Sequence, residues 1–265
     1  MLRLLRNSLA FAGLLGGLFA LPAAHAAQPA QPAISPDLQG KNIVLVHGAF
    51  ADGSSWDKVI PLLEARGLHV VAVQNPLSSL ADDAAATKRV IEQQKGPVVL
   101  VGHSWAGMVI SEAGNDDKVK ALVYVAAFAP DDGQSISDIT KGLPPPVWAN
   151  ALRKDSAGYL TLSTEAVLDD FAQDLPVAQR RLIAATQAPW FSGCIDQKVD
   201  QAAWRDRPSY FVIPSHDRMI DPQLQAKMAE HIGAKVTHVN ASHVAMVGQP
   251  QQVADVIIEA ARKAQ

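Results

Sequence analysis

Short uncharged apolar runs alternate with amphipathic stretches along most of this chain, a repeat that predicts strands separated by helices. Asn42–Val46 reads as a buried strand ending at His47-Gly48-Ala49-Phe50. Trp56, Val59, Ile60, Leu62 and Leu63 then recur at helical spacing, with Ser54 or Ser55 placed to cap them. His69–Val73 is a second strand, and Asp82 or Asp83 opens a helix that runs to about Gln94. Pro97–Gly102 is an apolar run that stops at a glycine, and a helical pattern with Met108 and Ile110 begins at once. Ala121–Ala127 is a fourth strand, closed by Pro130-Asp131-Asp132-Gly133. Ser209–Ile213 and Lys235–Val239 are two more, followed by helices over Pro222–His231 and Pro250–Lys263. This alternation predicts an α/β fold whose mostly parallel sheet is covered by helices on both faces, with its core in 41–133 and 209–265.

The alternation breaks over 134–208. That stretch shows no strong strand, carries Pro144-Pro145-Pro146, and has helical patterns over Glu165–Gln173 and Val177–Gln187. Trp148, Tyr159, Phe171, Trp190, Phe191 and Trp204 are spread through it. It is far too long for a simple connection, so it is expected to be a helical lid inserted before the last two strands, over the carboxyl edge where open α/β sheets hold ligands.

The first 26 residues have the form of a secretory signal peptide: Arg3 and Arg6, an apolar run from Leu9 to Leu21, and the A-x-A site Ala24-His25-Ala26. Residues 27–40, rich in Ala, Gln and Pro, are expected to be a flexible lead-in. The expected location is therefore periplasmic or secreted, with no stable membrane span once the signal is removed. Without Arg3 and Arg6 the formal charge moves from −3 to −5. With no basic run, this balance gives no support for nucleic-acid binding. Cys194 is the only cysteine and cannot form an internal disulfide; it is expected to be buried and inert. The eight histidines never take a metal-binding spacing, so no metal is expected.

A serine at the corner where a buried strand turns into a helix is a nucleophile elbow, which demands small residues two before and two after it. Around Ser104 those are Gly102 and Ala106, with Gly107 next. A serine hydroxyl also needs a base, and the base needs an orienting acid. Asp217 follows a strand and is placed to be the acid; Asp221 is the rival but, directly before Pro222, reads as a helix cap. His243 lies in the loop after the last strand and is placed to be the base. His47 reads as a structural turn residue, and His103 as pointing away from the site along the turn. Charge building on a carbonyl oxygen needs preorganised N–H donors. Trp105, directly after the serine, is expected to give one, and Ala49, with Phe50 as the alternative, the other.

Together, His47-Gly48-Ala49, Gly102-His103-Ser104, Asp217 and Ser242-His243-Val244-Ala245-Met246 resemble the α/β-hydrolase fold. Within it they are similar to the branch of plant methyl esterases and hydroxynitrile lyases with their bacterial relatives. The resemblance runs from about Lys41 to the C-terminus. It implies Ser104, His243 and Asp217 as a triad, with Trp105 and Ala49 or Phe50 as oxyanion donors and no cofactor. Lyases of that branch place lysine directly after the catalytic histidine and threonine in the first oxyanion loop. Here those places hold Val244 and Ala49-Phe50, and Arg218 is expected to face solvent or pair locally. The chain is thus expected to be an exported serine hydrolase that cleaves a small, fairly apolar carboxylic ester through an acyl-enzyme. The alternatives are a slow, receptor-like hydrolase, or a lyase or cofactor-free oxygenase using the same triad.

Overall fold

Nine strands occur among the described residues of the computed structural model, which are 35–264. They are β1 (Asn42–Val46), β2 (His69–Val73), β3 (Val98–His103), β4 (Val119–Val125), β5 (Leu152–Lys154), β6 (Tyr159–Leu162), β7 (Trp190–Phe191), β8 (Ser209–Pro214) and β9 (Lys235–Val239). Six of them pair in parallel in the order β2-β1-β3-β4-β8-β9. The apolar runs explain the order. All residues of β1, β3 and β8 are buried, as strands covered on both faces require, whereas β2 and β9 at the edges expose several positions. Because β2 and β3 lie on opposite sides of β1, the order in which strands are added to the sheet reverses there. The carboxyl ends of β1 and β3 therefore border a crevice suited to a ligand.

The helices are α1 (Ile60–Glu64), α2 (Leu80–Gln93), α3 (Ala106–Ala113), α4 (Ile136–Ile139), α5 (Thr164–Ala166), α6 (Val177–Thr186), α7 (Pro222–His231), α8 (Ala245–Gly248) and α9 (Pro250–Lys263). Buried Val253, Val256, Ile257, Ala260 and Ala261 recur every three or four residues on α9 and pack it onto β3, β4 and β8. Two helix starts differ from the sequence expectation. Ahead of α1, Asp52 rather than Ser54 or Ser55 accepts a capping bond, and it closes a 3-10 turn over Gly53–Trp56. Likewise α2 begins at Leu80, capped by Ser79, so Asp82 and Asp83 lie inside its first turn. In both places several short polar side chains compete for the same free N–H groups, and pattern alone does not rank them.

Between β4 and β8 the insertion contains α4 to α6 and a π turn at Val167–Phe171, and it also forms a small antiparallel sheet β5-β6-β7. That sheet was not expected, because its strands are too short to show a period. The insertion is tied to the loops after β8 and β9. Trp148 Nε1 donates to Met219 O at 3.0 Å, and Ser242 N donates to Asp174 Oδ2 at 2.9 Å. Residues 36–38 of the expected lead-in form a 3-10 turn that buries Leu38 fully, while the expected signal peptide lies outside the described residues.

Helix α3 meets the loop after β4 with no room to spare. A Cβ on Gly107 would fall 1.8 Å from the carbonyl oxygen of Phe128, which is backbone and has no rotamer to yield. Gly107→Ala should therefore cost about 2 kcal/mol or more, read as a lower urea midpoint at unchanged m.

Candidate active site

Ser104 has φ 57, in the left-handed region that few side chains tolerate. The corner is closed by Ser104 N donating to Val125 O at 3.2 Å and by Gly107 N and Phe128 N donating to Ser104 O at 3.0 and 3.3 Å. Neighbouring backbone must come close for this to work. A Cβ on Gly48 would lie 2.7 Å from Ser104 Cβ, and one on Gly102 would lie 2.6 Å from Ala106 O. The small residues of the motif are thus steric requirements of the corner.

The structure brings Ser104, His243 and Asp217 together from three separate loops. His243 Nε2 lies 2.9 Å from Ser104 Oγ, and His243 Nδ1 lies 2.8 Å from Asp217 Oδ2. Both partners of the imidazole are buried with it. The Asp217 carboxylate is fully satisfied: Oδ1 accepts from Met219 N and Ile220 N at 2.8 and 3.1 Å, and Oδ2 also accepts from Gln225 Nε2 at 2.7 Å. These donors fix its orientation, so Nδ1–H of His243 has one place to point. The Phe171 ring packs edge-on against the imidazole with centroids 5.2 Å apart. Asp221 instead accepts from Gln223 N at 2.8 Å as the cap of α7. Arg218 lies at the surface beside Asp170 and donates to Asp169 O.

Two other histidines support the loops. His47 donates from Nδ1 to Gly48 O at 3.0 Å and accepts from Asn75 N at Nε2 at 2.9 Å; burial holds its pKa low, and the ring is neutral. His103 does not point away along the turn as expected. Its ring lies 4.7 Å from that of His243, and Nε2 donates to the His243 carbonyl at 3.1 Å. Complete burial keeps His103 well below its usual pKa, so it acts as a neutral strut under the His243 loop.

Ala49, Phe50 and Trp105 line one cavity together with Ser104 and His243. No hydrogen bond among the described residues uses their backbone N–H groups, so all three donors remain available. Phe50, at φ 59, shares the backbone strain of Ser104. The cavity has a volume of about 440 Å³, and its wall includes Phe128, Trp148, Phe171, Trp190, Met219 and Leu224. Apart from Ser104 and His243, its polar side chains are Thr140, Asp221 and the Trp indoles, with no lysine or arginine among its lining residues. Among the described residues no group of three His, Cys, Asp or Glu side chains is arranged to hold a metal. Cys194 is buried, and burial pushes its thiol up to about 12, out of nucleophilic range.

Sequence reasoning missed Asp83. Leu80, Ala84, Thr87 and Ile91 mark the inward stripe of α2, and position 83 falls on it, so the signal was present. Asp83 is wholly buried and accepts from Trp105 Nε1 and Leu77 N, both at 2.8 Å. Burial pushes its carboxyl from 3.8 up to about 6, with Asp82 adding to the rise. The folded state thus holds this proton more tightly than the unfolded chain. The resulting stability is complete below about pH 4 and is lost as pH rises through about 6. Between those limits wild type should lose up to about 3 kcal/mol more stability than Asp83→Asn, measured by urea unfolding of both at about pH 4 and about pH 7.5.

A model of the family described as "Alpha/beta hydrolase family" matches residues 43–256. Methylesterase 8 of Arabidopsis thaliana is 23% identical over 254 residues, which span 86% of this chain and 92% of that protein. The alpha-hydroxynitrile lyase of the same plant is 24% identical over 243 residues, spanning 81% and 94%. The crystal structure of polyneuridine aldehyde esterase superposes with TM-score 0.74 at 21% identity, covering 83% of this chain and 99% of that one, a likeness of fold. The match runs from the second residue of β1 through all the other core strands and the loops that carry Ser104, Asp217 and His243, and the chain belongs to the alpha/beta hydrolase family.

Proposed function

We propose that this chain is an exported serine carboxylesterase acting on neutral, fairly apolar esters through an acyl-enzyme. The observation that carries this reading is the unbroken line from Ser104 Oγ through His243 to Asp217, opening into an apolar cavity beside unused N–H groups. As Ser104 Oγ attacks the ester carbonyl, its proton passes to His243 Nε2, and Asp217 holds the imidazolium that forms. The carbonyl oxygen, now negative, takes hydrogen bonds from Trp105 N–H and from Ala49 or Phe50 N–H. Collapse breaks the bond to the alkoxy oxygen, which receives the proton from His243 and leaves as alcohol. Water then attacks the acyl group by the same relay and frees the carboxylic acid.

Two features of the cavity narrow the substrate. Its apolar wall favours uncharged acyl groups, and with Asp221 on the wall and no cation there, a second carboxylate has no partner. The same wall argues against cyanohydrin cleavage, in which departing cyanide needs a nearby positive charge. Val244 follows His243 directly and is apolar. The names of Methylesterase 8 and polyneuridine aldehyde esterase support the ester reading, whereas the lyase relative names the reaction that this wall does not serve. The export assignment rests on the composition of the first 26 residues.

Purified enzyme should hydrolyse short acyl esters steadily and release no cyanide from mandelonitrile above the buffer rate. Ser104→Ala should lose about a thousandfold or more in kcat while staying folded. In the same assay Asp217→Asn should fall by a comparable factor and Asp221→Asn should stay near wild type. Ser104-dependent cyanide release without ester turnover would reverse the assignment.

A further inference from the structure

Asp83 is fully enclosed, yet none of the ion pairs among the described residues includes it. A buried carboxylate without a cation is costly, and an apolar residue on this stripe of α2 would be cheaper. What the carboxylate provides is two acceptors and no donor. Oδ2 takes the indole N–H of Trp105 and Oδ1 takes the backbone N–H of Leu77. Asparagine at this place would turn an NH₂ toward one of those donors.

Both ends of this bridge lead to the reacting centre. Trp105 directly follows Ser104, and its ring is buried against Trp190 of β7 with centroids 5.4 Å apart. Trp190 also meets Phe50 edge-on at 5.9 Å, so one insertion residue touches a residue on each side of the oxyanion site. Leu77, held at φ 57, accepts from Phe191 N of the same strand at 2.9 Å. Asp83 therefore joins the residue after the candidate nucleophile to the loop on which β7 is seated.

We propose that Asp83 is a positioning residue for the ester reaction: by gripping the Trp105 indole it fixes the Trp105 backbone N–H where the oxyanion forms. The assignment rests on the serine-esterase reading above. Oxyanion donors act only within a few tenths of an ångström of their proper place, and loss of one costs about a hundred- to a thousandfold in kcat. Loosening one without removing it should cost about ten- to a hundredfold. At neutral pH the carboxyl, at about 6, is ionised, which strengthens both bonds.

Wild type, Asp83→Asn, Trp105→Phe and the double variant would be compared on a short acyl ester. Affinity for a trifluoromethyl ketone, which forms a tetrahedral adduct with the serine, would be measured alongside. Each single variant should lose about ten- to a hundredfold in kcat with KM within about threefold, and should lose ketone affinity by a similar factor. The double variant should be no worse than the poorer single one, since both cut the same bond. Wild-type kcat in folded Asp83→Asn, or losses that multiply in the double variant, would overturn the proposal. If Asp83→Asn does not fold, Trp105→Phe decides alone: wild-type kcat and ketone affinity in that variant overturn it. Ser104→Ala separates the two readings. Full turnover in that variant defeats the esterase assignment, whereas a dead Ser104→Ala beside an unimpaired Asp83→Asn defeats only the role of Asp83.

Discussion

Backbone strain at Ser104 is the constraint around which the molecule is arranged. A non-glycine residue at φ 57 costs about 1–3 kcal/mol and persists only where its surroundings leave no alternative. Here β3 and β4 fix one side of the corner, α3 the other, and the loop after β1 presses in at Gly48. The reward for this strain is a hydroxyl lifted to the carboxyl edge of the sheet. Every other chemical group reaches the same edge because parallel strands all end there: Ala49 and Phe50 after β1, Asp217 after β8, His243 after β9.

Precision then comes from polar contacts around these loops. Asp217 is held by three N–H donors before it meets His243, and His103 and Asp174 hold the backbone of the His243 loop. His47 plays the same part in the loop of Ala49 and Phe50. The insertion lines much of the cavity and adds supports of its own, a hydrogen bond from Asp174 and the ring contacts of Phe171 and Trp190.

The parallel sheet and the Ser104, Asp217 and His243 constellation were legible in the sequence for different reasons. Strands covered on both faces are apolar almost throughout, so β1, β3, β8 and the Ala121–Val125 part of β4 announce themselves, and Gly102, Ala106 and Gly107 mark a backbone compact enough to make the corner. Asp83 was hidden because an acid in the first turn of a helix reads as a partner of the helix dipole. Only the stripe it shares with Leu80, Ala84, Thr87 and Ile91 reveals that it turns inward. The direction of His103 depends on a carbonyl 140 residues away, a contact that no local pattern encodes. The sheet β5-β6-β7 was illegible because strands of three, four and two residues, one carrying Arg153 and Lys154, have no measurable alternation.

The proposed ester reaction requires Ser104 to carry the acyl group between its two halves. It is tested most directly by quenching the enzyme in acid during the first turnovers of an activated ester and mapping the added mass by peptide mass spectrometry. One acyl group, of the mass of the substrate's acid part, is expected on the peptide and residue of Ser104, disappearing as substrate runs out. An active enzyme whose acyl group sits on another residue would contradict it.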